Sequence, residues 1–128
     1  MNARHKQGFL LLEVILATAL IAIGLFAIID ALGRCLAAAR TIQNYTISET
    51  LLANKSYEMR VEQPTNYLDL EGPFDDYPGF TWERKFEPAG ADDVEGLWKQ
   101  TITVYWYERG RLSQDSVVEY RYMPQKVR

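Results

Sequence analysis

The hydrophobic pattern changes character twice along the chain. Residues 9–29 read F-L-L-L-E-V-I-L-A-T-A-L-I-A-I-G-L-F-A-I-I and hold a single charge, Glu13. A run of about 20 such residues matches the roughly 30 Å hydrocarbon core of a bilayer. The pattern then becomes amphipathic. Ala38, Tyr45, Leu52 and Met59 recur every seven residues, with Ile42 and Leu51 close to the same side, while Arg40, Gln43, Glu49, Lys55 and Glu58 supply polar faces. Such a stripe predicts a helix packed on the chain's own C-terminal portion. No proline occurs before Pro64, and Gly24 and Gly33 weaken a helix without ending it. One continuous helix is therefore predicted from about Phe9 to about Arg60, roughly 75 to 80 Å long. That exceeds what a bilayer needs, so the second half must lie outside it.

Beyond Pro64 the period shortens. Residues 64–79, P-T-N-Y-L-D-L-E-G-P-F-D-D-Y-P-G, are rich in turn formers and predict a loop. In F-T-W-E-R-K-F, residues 80–86, alternation puts Phe80, Trp82 and Phe86 on one face of a strand closed by Pro88. Residues 88–96 form a second loop. Then W-K-Q-T-I-T-V-Y-W-Y-E, a turn R-G-R and S-V-V-E-Y-R-Y-M predict an antiparallel hairpin turning at Gly110. Ile102, Val104 and Trp106 share one side of its first strand; Val118, Tyr120 and Tyr122 share one side of its second. The expected fold class is α+β, a long N-terminal helix packed on a small antiparallel sheet.

At 128 residues the chain holds one modest domain plus appendages. Arg4 and Lys6 precede the apolar run, which places the N-terminus in the cytoplasm and the rest outside. Those two account for part of 14 basic residues against 17 acidic ones, leaving an acidic outer portion. That balance argues against a nucleic-acid groove, which needs a basic stripe. Cys35 is the only cysteine, so no intramolecular disulfide framework exists. It is read as a small apolar helix residue rather than an intermolecular bridge or lipid attachment.

Catalytic chemistry is not expected. The one histidine, His5, sits in the basic head, so the outer portion has no histidine base or ligand, and no Gly-rich phosphate loop appears. Asp75-Asp76 and Asp92-Asp93-Glu95 carry the oxygen ligands calcium takes, but their spacing fits no metal loop and they are read as solvated turns. The glycosylation triplets at Asn44 and Asn54 fall on the helix and are discounted. No cofactor or metal is expected.

Glu13 is the anomaly, since a lone carboxylate in lipid costs several kcal/mol. A short basic head, then Gly8, Phe9 and a glutamate five places after the glycine resemble the class III signal of type IV prepilins. The resemblance implies cleavage between Gly8 and Phe9 by a prepilin peptidase on the cytoplasmic side, and N-methylation of Phe9. It also implies that the apolar run stays on the mature protein as membrane anchor and later as filament core. Glu13 would then attract the N-terminal ammonium of a neighbouring subunit and set assembly register, two buried opposite charges compensating where one alone is costly.

Residues 49–64, E-T-L-L-A-N-K-S-Y-E-M-R-V-E-Q-P, resemble the helix end of minor pseudopilins of type II secretion, the I-subunit type. Leu52, Ala53, Lys55, Glu58 and Arg60 come near that pattern, with the asparagine at Asn54. The missing C-terminal cysteine pair also suits a pseudopilin better than a major pilin. The implied organisation is a leader at 1–8, a transmembrane and assembly half at 9–32, an amphipathic half at 33–63 and a periplasmic β-rich domain at 64–128. The implied function is a non-enzymatic, single-pass inner-membrane subunit of a periplasmic pseudopilus. Its partners would be other pseudopilins or pilins, the prepilin peptidase and an inner-membrane assembly platform. A minor pilin of a type IV pilus is the alternative. A secreted or singly anchored binding module, cleaved within C-L-A-A-A at 35–39, fits less well. The apolar run is long for a signal core, and Asp30 and Arg34 interrupt the approach.

Overall fold

The computed structural model describes residues 3–62, 68–89 and 95–123, the side chains of residues 3–7 aside. Its elements are one helix, α1 (Ala3–Val61), and four strands, β1 (Leu70–Pro73), β2 (Phe80–Pro88), β3 (Leu97–Glu108) and β4 (Arg111–Tyr122), an α+β arrangement. The chain divides into two compact units, Met1–Thr41 and Ile42–Arg128. The first is the N-terminal portion of α1. The second holds the rest of α1 and the whole sheet.

α1 begins at Ala3, ahead of the expected start near Phe9. Nothing in A-R-H-K-Q opposes a helix, and Gly8 costs only about 1 kcal/mol relative to alanine, which does not break a long helix. The helix stops at Val61, three residues before Pro64, consistent with the exclusion of helical geometry just ahead of a proline.

The sheet is an antiparallel meander in the order β1-β2-β3-β4. Three strands were expected and four are present among the described residues. β1 falls inside the stretch read as a loop, because L-E-G-P carries no alternation and two residues that strands avoid. Tertiary contacts hold it instead. Gly72 stands opposite Trp82 in the register, and a side chain at 72 would meet the indole at 3.2 to 3.3 Å. Asp69 Oδ1 accepts the Phe86 N–H at 3.0 Å, and Arg84 Nη2 donates to the Leu68 carbonyl at 3.2 Å.

β3 and β4 form the expected hairpin, with Glu108 paired to Arg111 across a two-residue loop. Arg109 (φ 51°) and Gly110 (φ 75°) are both left-handed, the pattern of a type I′ turn, whose twist matches the flanking strands. Gly110 takes that conformation freely, whereas Arg109 is held in it against preference.

The core forms where α1 crosses the sheet in the second unit. Leu51, Leu52 and Met59 meet Phe80, Ile102, Val104 and Trp106, with Ile102 and Val104 fully buried. Trp106 is the hub: Phe80 stacks on it at 5.8 Å and Tyr45 meets it edge-on at 5.1 Å. Each such side chain contributes about 1.5 to 3 kcal/mol of burial. The expected stripe is right at Leu51, Leu52 and Met59 but not throughout. Ala38 and Ile42 are exposed, Ser48 and Ser56 are buried, and Lys55 turns inward to lie 4.1 Å from the centre of the Trp82 ring. The seven-residue spacing drifts around a helix of 3.6 residues per turn, and the contact follows residues three and four apart.

Candidate functional site

In the Met1–Thr41 unit, α1 offers apolar surface on every side. Phe9, Leu12, Leu16, Leu20, Ile23 and Phe26 are each more than half exposed, and so are their neighbours on the remaining faces. A helix that is apolar all round is the core of a larger assembly or a membrane span. The stretch is long and apolar enough to cross a membrane. Gly8, Phe9 and Glu13 all lie on this helix and are exposed. Phe9 and Glu13 are four residues apart and so share one face, a turn from each other. Among the described residues Glu13 has no ion-pair partner, whereas Asp30 and Arg34 pair with each other at 3.0 Å. Cys35 is a free, exposed thiol on the same helix.

The second unit carries a polar seam that the sequence did not announce. On β4 the residues facing α1 are Ser113, Asp115, Val117, Glu119 and Arg121, and only Val117 is apolar. The Ser48 hydroxyl donates to Asp115 Oδ2 at 3.4 Å and to the Tyr45 carbonyl at 2.8 Å. Glu119 accepts from Ser56 and from Arg60 Nη2 at 2.8 Å, with Arg121 at 3.8 Å on its other oxygen. Arg121 Nη1 also donates to the Met59 carbonyl at 3.2 Å, near the end of the helix. Burial alone would raise the Glu119 pKa. The hydrogen bonds from Ser56 and Arg60, with the charges of Arg60 and Arg121, outweigh it and hold the carboxyl below its ordinary value.

A layer of polar groups closes the core beside this seam. Gln100 is fully buried, between Phe86 and Glu119 in the register. Arg84 is also buried, stacked 4.9 Å from the centre of the Phe86 ring; burial and the nearby Arg121 charge push its pKa down. On the opposite face of the sheet the Tyr105 hydroxyl donates to Glu83 Oε2 at 2.8 Å and Lys85 pairs with Glu83 at 3.2 Å. Those contacts lower the Glu83 pKa and raise those of Tyr105 and Lys85.

Asp75 and Asp76 lie in the turn between β1 and β2, and among the described residues no group of three His, Cys, Asp or Glu is placed to hold a metal. Asp92 and Asp93 lie outside the described residues. Val118, Tyr120 and Tyr122 share a face, as alternation requires, but it is the face away from the core, and all three are exposed. Charged and hydroxyl side chains on the inner face of β4 disguised that orientation. No protein-family model, no curated protein and no solved structure matches the chain.

Proposed function

We propose that the chain is a minor pseudopilin of a type II secretion system, a non-enzymatic subunit processed by prepilin peptidase and assembled through its N-terminal helix. The observation that carries this reading is Glu13, the single charge in the exposed apolar stretch 9–29 of α1, one turn from Phe9. Cleavage after Gly8 would create an ammonium at Phe9. In a packed array, that amine on one subunit would neutralise Glu13 on another, and a misaligned subunit would leave a charge unpaired at several kcal/mol. The apolar half of α1 would serve first as a single-pass anchor in the inner membrane and then as filament core. The sheet-bearing unit would stand in the periplasm and meet other pseudopilins.

Intact mass and N-terminal sequence of the protein recovered from membranes test the reading. The expected start is N-methylated Phe9. An intact leader, or a start after residues 37–39, would overturn it. Glu13→Val is expected to insert in membranes normally yet fail to assemble; normal filaments from that variant would remove the register role.

A further inference from the structure

The two edges of the sheet are not alike. Within the hairpin, the Met123 N–H donates to the Gly96 carbonyl at 2.7 Å, continuing the ladder in which odd-numbered residues of β4 bond to β3. Antiparallel geometry then turns the backbone groups of Leu112, Gln114, Ser116, Val118, Tyr120 and Tyr122 outward, along an edge 12 residues long that pairs with no other strand among the described residues. No proline or glycine interrupts it. The other edge, β1, is four residues long and ends in Pro73, which has no N–H to offer. An open edge of this length is a template for another strand unless something blunts it.

Among the described residues only one of the outward amides is occupied, and its occupant is local. The Ser116 N–H donates to Asp115 Oδ1 at 2.9 Å. Beside it runs a groove of about 520 Å³ between α1 and β4, lined by Glu49, Ala53 and Tyr57 on the helix and by Asp115, Ser116 and Glu119 on the strand. Glu119 is neutralised by Arg60, but among the described residues neither Glu49 nor Asp115 is ion-paired. A strand added to β4 would offer a carbonyl to the Ser116 N–H, displace the Asp115 carboxylate and leave that charge to be met.

The geometry points to β4 as the acceptor edge for an extended strand of a partner protein, one that places a Lys or Arg beside Asp115 and apolar side chains against Val118 and Tyr120. Head-to-tail self-pairing is disfavoured by charge, since such a copy would present β1 with Glu71 beside Asp69. Main-chain hydrogen bonds would supply affinity, and Asp115 would supply selection, as both latch on the empty edge and acid for the incoming cation. This rests on the sheet-bearing unit alone and holds whether or not the chain is a filament subunit.

The test uses the full chain in detergent micelles and a fluorescein-labelled peptide, Thr-Val-Lys-Val-Lys-Val-Thr, with a counterpart carrying Glu for Lys. Saturable anisotropy is expected with the Lys peptide, and binding about tenfold weaker with the Glu peptide. Val118→Pro removes an outward N–H and spares the ladder to β3, so it should weaken binding about tenfold with an unchanged circular dichroism spectrum. Asp115→Asn should abolish the preference for Lys over Glu. Should the proline variant not fold, N-methylation of alternate peptide amides makes the same break on the unaltered protein. Absence of saturable binding by the Lys peptide, equal binding of the two peptides, or indifference to peptide N-methylation would each overturn the proposal.

Discussion

α1 is one continuous helix with two solutions to the problem of apolar surface. In the Met1–Thr41 unit Leu, Ile and Phe occupy all faces and stay exposed, so nothing among the described residues buries them. From Ile42 onward the same helix confines its apolar residues to a stripe and buries Leu51, Leu52 and Met59 on the sheet. The first segment finds no apolar partner among the described residues, although it is long and apolar enough to cross a membrane; the second buries its stripe within its own unit. Helical propensity is similar along both. What differs is where the side chains find company.

That contrast is open to direct attack, most forcefully by cutting the helix. Removing residues 1–32 is expected to yield a soluble, folded fragment, because the second unit owns its core. An unfolded circular dichroism spectrum from that fragment would show that the unit depends on the segment removed.

Single substitutions sharpen the contrast at smaller scale. Trp106→Ala should lower the unfolding free energy of the sheet-bearing unit by about 3 to 5 kcal/mol in denaturant titration, since it empties the centre of the core. Phe26→Ala, in the exposed half of α1, should leave the same transition within about 0.5 kcal/mol. Equal effects from the two would erase the distinction.

The polar seam comes next in size. Glu119→Gln should cost about 2 kcal/mol, because Ser56, Arg60 and Arg121 lose their shared acceptor charge. Its pH signature has a fixed sign. The folded pKa lies below the unfolded value, so the stabilisation is full above the ordinary carboxylate range and drains away as pH falls through the folded pKa. The Gln variant should therefore lose less stability than the parent as pH falls below the ordinary carboxylate range. The smallest effect belongs to the hairpin. Arg109→Asn eases a left-handed residue and should add about 0.5 to 1 kcal/mol, read as a modest rise in melting temperature.

Alternation in F-T-W-E-R-K-F and W-K-Q-T-I-T-V-Y-W-Y-E gave away β2 and β3, and a Gly beside an Arg at the turn located the hairpin. β1 left no such trace, because L-E-G-P is a strand only by virtue of Trp82 over Gly72 and Asp69 beneath Phe86. The seam escaped for a related reason. Ser48, Ser56, Asp115 and Glu119 look like surface residues one at a time, and only their mutual hydrogen bonds make their partial burial tolerable. Gly8, Phe9 and Glu13 stand out by their spacing alone, which needs no tertiary partner; the structure places all three exposed on α1.

The long helix, its change from apolar to amphipathic, the hairpin and the α+β class were therefore all readable from the order of residues. These depend on period, on helix breakers and on turn residues, all of which act within a few residues of themselves. Tertiary structure alone decided the fourth strand, the inward turn of Lys55, the polar inner face of β4 and the open edge behind it. Each is settled by residues far apart in the chain, whose competition for a limited interior has no local signature.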